Sequence, residues 1–161
     1  MMDFNERLDK AIQRGKRLGG ERAQAAAQRA MSEEELKRLH SQFRLDLSEH
    51  IEQCVKRLAD HFPGFRYESM VGERGWGGAV SRDDLRITPE GRRSVYSRLE
   101  MTVRPFSSYH VLELAARGTV ANKEIFSRSH FQKLGDVDEN TFRNFVDVWV
   151  LEYAEQYAAH A

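Results

Sequence analysis

The spacing of apolar residues changes at Pro63-Gly64, and this change constrains the fold more than any other feature of the sequence. Before it, apolar residues recur every three or four positions: Leu36, Leu39, Phe43, Leu47, Ile51, Cys54, Val55, Leu58 and Phe62. This spacing predicts a helix over 32–62 with one apolar stripe. Ser32 and Glu35 match the Ser-x-x-Glu capping box, so we expect the helix to begin there.

After the proline, apolar and polar residues alternate, as they do in β-strands. The pattern is clearest in residues 94–103, SVYSRLEMTV, and it recurs in 79–88, 109–118 and 124–131. Turn residues separate these segments, among them Pro, Gly, Ser and Asn. We therefore predict an antiparallel β-meander of four strands, or of five if FRYESMV joins it.

A second helix is predicted from about 138 to 158, capped by Asp136 with Glu139 three residues later. Its apolar residues form a broad stripe: Phe142, Phe145, Val146, Trp149, Val150, Tyr153 and Tyr157. A helix this apolar is expected to touch neighbours on two sides.

The first 31 residues have a weaker pattern. An apolar stripe begins with Phe4 and Leu8, but three glycines interrupt it, and each interior glycine costs a helix about 1 kcal/mol relative to alanine. We expect a helical arm, 1–31, that docks on another surface. The predicted fold is α+β: in the domain 32–161 the meander is packed on one face by an N-terminal and a C-terminal helix, and the arm precedes it.

The predicted register leaves one sheet face without helices. A four-residue loop over 105–108 pairs Arg104 with Tyr109, and an even turn near residue 121 places Ile125 and Phe131 in the core. The opposite face then collects the candidate binding residues, which are Tyr96, Arg98, Arg104, Tyr109, Arg117, Phe126 and Arg128.

Three interpretations of this face stay open. Its glutamates allow internal pairing, as Glu113–Arg128 and Arg117–Glu124, in which case it is a solvated surface. The arm or a second subunit covers it in the second interpretation. In the third, its rings and guanidinium groups hold single-stranded nucleic acid by stacking and phosphate contact.

The net charge of the sequence excludes two classes of protein. Lysine and arginine number 25 and so do the acids, so a wholly basic histone-like binder and a strongly acidic mimic are both excluded. The balance hides a basic middle, since residues 63–135 carry a net +4. It also hides an acidic end, because residues 136–161 hold six acids and a single arginine.

No linear motif indicates catalysis, a cofactor or a metal. The glycine-rich stretch 72–78 lacks the spacing of a P-loop, and the six histidines lack zinc-site spacing. Cys54 lies on the apolar stripe, where we expect a buried, inert thiol. We predict no cofactor and no enzymatic activity. An enzyme whose residues converge only in the folded chain is kept as an alternative.

The functional hypothesis is a non-enzymatic binding or adaptor protein that acts through protein–protein contacts. The helix–meander–helix order resembles small dimeric chaperone and adaptor folds in architecture alone. We expect self-association, as a homodimer, through the arm, the last helix or the open sheet face. Single-stranded nucleic-acid binding is the first alternative. A single cysteine and the lack of a secretory or transmembrane segment predict a cytoplasmic protein without a membrane partner.

Overall fold

The computed structural model describes the backbone of residues 3–160 and the side chains of 3–27 and 32–160; residues 1, 2 and 161 of the predicted arm and domain lie outside them. A long helix is followed by five strands, a 3-10 turn and a second helix. In chain order the elements are α1 (Phe4–His61), β1 (Arg66–Gly72), β2 (Gly75–Thr88), β3 (Gly91–Val103), β4 (Val111–Val120), β5 (Lys123–Lys133), the 3-10 turn (Leu134–Asp136) and α2 (Glu139–His160).

The predicted α+β fold with an antiparallel meander is confirmed. The strands form one sheet in the order β1-β2-β3-β4-β5, and every neighbouring pair is antiparallel. The segment FRYESMV does join as the fifth strand. Its partner is β2, and the glycine-rich stretch 72–78 forms the hairpin between the two. Trp76 in this hairpin is half-buried, with the Arg44 guanidinium 3.6 Å from its ring centroid.

The predicted helix start at Ser32 is wrong. Helix α1 is continuous through this residue, and the preceding segment ERAQAAAQRAM consists mostly of strong helix formers that give the helix no reason to stop. By internal contacts the chain divides into two compact units between Arg38 and Leu39. The division into an arm 1–31 and a domain 32–161 stays a prediction.

The core of the second unit lies between the sheet and the two helices. The helices contribute apolar residues at helical spacing, and the strands contribute every second residue of one face. The largest side chains with essentially no exposure are Leu47, Ile51, Leu99, Met101, Leu112, Leu114, Phe142 and Tyr153. The stripe predicted for α2 therefore forms the core except for the half-buried Phe145, whereas the stripe of α1 is fully buried only at Leu47, Ile51, Val55 and Leu58.

The predicted register between β3 and β4 is wrong by four residues. Val103 pairs with Leu114, and the N–H of Arg104 donates to the carbonyl of Glu113 at 2.9 Å, so the connecting loop is longer than four residues. Because side chains alternate with a period of two, an even shift leaves each of them on its predicted face.

The predicted register between β4 and β5 is wrong by one residue over most of β5. Two residues, Ala121 and Asn122, form the turn with positive φ, which is typical of a tight hairpin. Beyond the turn the pairing shifts by one residue between Gly118 and Thr119, which is a β-bulge. Every side chain of β5 beyond the bulge therefore points to the face opposite to the predicted one. Phe131, for example, is 62% exposed instead of buried.

The bulge is also where α2 attaches. A Cβ on Gly118 would lie 3.0 Å from the Tyr153 ring and 3.1 Å from the Phe126 ring, so glycine leaves room for both. The Tyr153 hydroxyl donates to the carbonyl of Thr119 at 2.8 Å. Burial raises the pKa of Tyr153, which keeps this donor protonated.

We expect Tyr153→Phe to lower the free energy of unfolding by about 1–2 kcal/mol, because the Thr119 carbonyl loses its side-chain donor. The measurement is chemical denaturation followed by circular dichroism. Tyr109→Phe is the control, since this ring is 83% exposed and its hydroxyl should matter by less than about 0.5 kcal/mol. Equal effects of the two variants would contradict the anchoring role of Tyr153.

Candidate functional site

The seven candidate binding residues do not share one surface, so the predicted common face is wrong for two of them. Phe126 is 6% exposed and pairs with Gly118 on the helix-covered face. Arg128 lies on that face too, because the bulge inverts β5. Tyr96, Arg98 and Arg117 lie on the open face, while Arg104 and Tyr109 belong to the β3–β4 loop.

The arginines of the open face, and Arg104 of the adjoining loop, have carboxylate partners. Nη1 of Arg98 lies 2.6 Å from Glu68. Nε of Arg104 lies 2.9 Å from Glu113. Arg117 contacts Glu124 at 3.3 Å, as predicted, whereas the predicted Glu113–Arg128 pair does not form.

This pairing supports the internally paired interpretation of the open face. A polar groove of about 480 Å³ lies on it, lined among others by Thr102, Ala115, Arg117, Ser127 and Ser129. A phosphate entering the groove would compete with the carboxylates for the same guanidinium groups. The geometry thus offers no observation that favours nucleic-acid contact.

Arg128 and His130, which lie on the helix-covered face, both contact α2. Arg128 forms a bidentate ion pair with Glu152, and this hydrogen bonding lowers the pKa of the glutamate. The next core-facing residue, His130, has its ring centroid 5.0 Å from Phe142 and 4.5 Å from Phe145. Arg128 thus has its ionic partner on α2, whereas the side-chain amide of Gln132, on β5 itself, lies 3.1 Å from Nε2 of His130.

Three potential ligand atoms converge where α1 packs against α2. His50 and Cys54 lie one turn apart on α1, and Asp147 faces them from α2. Nε2 of His50 is 2.8 Å from Oδ1 of Asp147. The Cys54 sulfur is 3.4 Å from that oxygen and 3.6 Å from the same histidine nitrogen. A histidine, a thiol and a carboxylate are the donor types that bind transition metals in proteins.

Cys54 is half-buried, not buried as the stripe predicted. Partial burial raises its pKa to about 11, and the hydrogen bond to Asp147 and the charge of that carboxylate act in the same direction. Without a metal the sulfur is therefore a protonated thiol at neutral pH.

The sequence carried one signal for this cluster, which was the i, i+4 spacing of His50 and Cys54. Residues four apart share a helix face. The third group could not be found in this way, because Asp147 is 93 residues further along the chain than Cys54.

The cluster forms one wall of a cavity of about 560 Å³ between the two helices. The other walls are mostly apolar and include Leu58, Phe62, Val150, Leu151 and Ala154, with Arg57 and His61 as polar members. Its volume and mostly apolar lining suit a small apolar molecule.

Two further surfaces expose apolar side chains. On the arm, Phe4 is 73% exposed, and Leu8, Ile12 and Leu18 are each nearly half exposed. On α2, Leu151 is 67% and Val148 is 45% exposed. Phe4, Leu8 and Ile12 are spaced by four residues, and Val148 and Leu151 by three, so each group lies on one side of its helix.

Comparison with protein-family models, with curated proteins and with solved structures gives no significant match. Among the described residues, no helix is both long and apolar enough to cross a membrane.

We expect Asp147→Asn to speed the alkylation of Cys54 by iodoacetamide about threefold or more at about pH 8.5, with the protein metal-free. The substitution removes the negative charge that raises the pKa of the thiol, so the thiolate fraction grows. Mass spectrometry measures the rate on the folded protein. Asp136→Asn, an exposed acid in the 3-10 turn, is the matched control. Equal rates in the two variants would remove Asp147 as a cause of the raised pKa.

Proposed function

We propose that the protein is a self-associating cytoplasmic adaptor, without catalytic activity of its own, whose arm docks on α2 of a second copy. The observation that carries the proposal is the exposed apolar stripe of the arm, formed by Phe4, Leu8, Ile12 and Leu18. The docked arm and the surfaces of the assembled copies are then available to further protein partners.

The stripe favours a protein partner because exposed apolar side chains on one helix face mark interaction sites. Phe4, Leu8 and Ile12 are each four residues apart and lie on one side of the helix. Complete burial of a leucine or isoleucine side chain contributes about 1.5–3 kcal/mol. Docking would bury only the exposed half of Leu8 and of Ile12, so each contributes roughly half of this value, and the charged groups must add to it to offset the cost of association.

Charge selects α2 as the partner of the arm over a second arm. Between residues 7 and 22 the arm carries six basic and two acidic side chains, so two arms side by side repel each other. Residues 136–161 have the opposite imbalance, with six acids against Arg143. On α2 the exposed Val148 and Leu151 lie next to the exposed Glu155, so apolar and acidic groups occur together.

The stoichiometry follows from symmetry. Each copy has one arm and one α2 surface, so two copies that exchange arms satisfy both and close as a dimer with a two-fold axis. This supports a homodimer over an open chain of copies.

We expect Leu8→Glu with Ile12→Glu to convert the dimer to a monomer, because both side chains are lost from the docked face. Light scattering of the full chain over a range of concentrations measures the mass. Gln13→Glu with Gln24→Glu adds the same charge on the opposite side of the arm and should leave the dimer intact. A wild-type protein that is monomeric throughout, or equal behaviour of the two variants, would overturn the proposal.

The docking site on α2 is tested separately. We expect Leu151→Glu to dissociate the dimer as well, and Arg14→Glu to weaken it until Glu155→Arg is added, since the second change restores opposite charges. Sedimentation velocity gives the dissociation constants. A dimer that survives Leu151→Glu but not the arm variant would mean that arms pair with each other.

A further inference from the structure

We infer that His50, Cys54 and Asp147 form a binding site for a divalent transition metal ion, zinc above all. The site joins α1 to α2 through side chains that are far apart in sequence. It does not require the proposed self-association, because its three donors come from one copy and from the second compact unit alone.

Two of the three distances between the donors are those of a tetrahedral site. Zinc binds sulfur at about 2.3 Å, imidazole nitrogen at 2.0–2.1 Å and carboxylate oxygen at 2.0–2.2 Å, so tetrahedral donors lie about 3.3–3.6 Å apart. The sulfur of Cys54 is 3.6 Å from Nε2 of His50 and 3.4 Å from Oδ1 of Asp147. The nitrogen–oxygen distance, 2.8 Å, is shorter by about half an ångström. Rotation of the Asp147 side chain, which is 49% exposed, can supply this change.

The arrangement is that of ligands around a point and not of a catalytic relay. In a thiol–imidazole–carboxylate relay, one ring nitrogen faces the nucleophile and the other ring nitrogen faces the acid. Here a single nitrogen, Nε2 of His50, approaches both the sulfur and the carboxylate. One nitrogen cannot accept the thiol proton while it donates to the acid, whereas all three atoms can face one ion.

The charges of the donors match a divalent cation. A thiolate and a carboxylate carry two negative charges, and the imidazole is neutral when it ligates. Binding breaks the S–H bond of Cys54, forms a sulfur–metal bond and releases the proton to solvent. Asp147, which holds the thiol in its protonated form without a metal, then becomes a ligand itself. The positive charges of Arg57 and Arg143 act in the opposite direction on the sulfur and lower the pKa of the thiol.

Three protein donors leave the fourth position of a tetrahedral ion open, as in zinc sites that keep a water molecule. The same three residues line the apolar cavity of about 560 Å³, from which water reaches that position. The metal thus links the two helices directly, and we expect it to stabilise the fold by binding the native state alone.

The test uses the metal-free full chain without an affinity tag, titrated with cobalt(II). We expect one cobalt ion per chain, intense visible absorption from tetrahedral cobalt and a thiolate-to-cobalt charge-transfer band. Zinc should displace the cobalt and abolish both signals. Zinc should also raise the melting temperature of the wild-type protein.

Single-ligand variants separate a built site from adventitious thiolate binding. Cys54→Ser should lose the charge-transfer band, and His50→Ala and Asp147→Asn should each weaken cobalt binding about tenfold or more. His160→Ala and Asp136→Asn, at exposed positions, should bind as the wild type does. Far-UV circular dichroism checks that each variant is folded.

Two outcomes would overturn the inference. The first is a wild-type protein that gives no tetrahedral cobalt spectrum. The second is a charge-transfer band that depends on Cys54 but not on His50 and Asp147, because a thiolate alone then binds the ion.

Discussion

The one-residue irregularity between Gly118 and Thr119 determines much of the domain. A single extra residue exchanges the faces to which the side chains of β5 point, since neighbouring side chains point to opposite faces of a sheet. It turns Phe126, Arg128 and His130 towards α2. It also leaves a glycine and an accepting carbonyl where Tyr153 packs and donates. The position of α2 therefore depends on how one hairpin pairs.

The proposed metal site depends on the same helix position. Asp147 comes within reach of His50 and Cys54 only because α2 lies beside α1 on the sheet. The ion pair of Glu152 with Arg128 and the hydrogen bond of Tyr153 hold the turn that follows Asp147. The cluster is thus assembled by contacts on the opposite side of α2 from its own ligand atom.

The sequence was sufficient to predict the core positions that follow from the periodic spacing of apolar residues. Leu47, Ile51, Val55 and Leu58, the alternation in β3 and most of the aromatic stripe of α2 form the core as predicted. It was insufficient where one extra residue changes which face the side chains point to. Nothing in the segment GTVANKEIF predicts that the pairing of β4 with β5 shifts by one residue. The candidate face failed at Phe126 and Arg128 for that reason alone. No sequence pattern predicts that Asp147 lies close to Cys54, because their contact arises from packing between helices.

The two proposals meet on α2, and this gives them a physical relation. Asp147, Val148 and Leu151 lie within little more than one helical turn, and Leu151 also lines the cavity beside the cluster. An arm docked over Leu151 would change the access of water to the metal, and a bound metal would fix the Asp147 side chain beside the docking surface. Binding free energies at two such sites are coupled reciprocally. Metal occupancy would therefore shift the dimer equilibrium by the same factor by which dimer formation shifts the metal affinity.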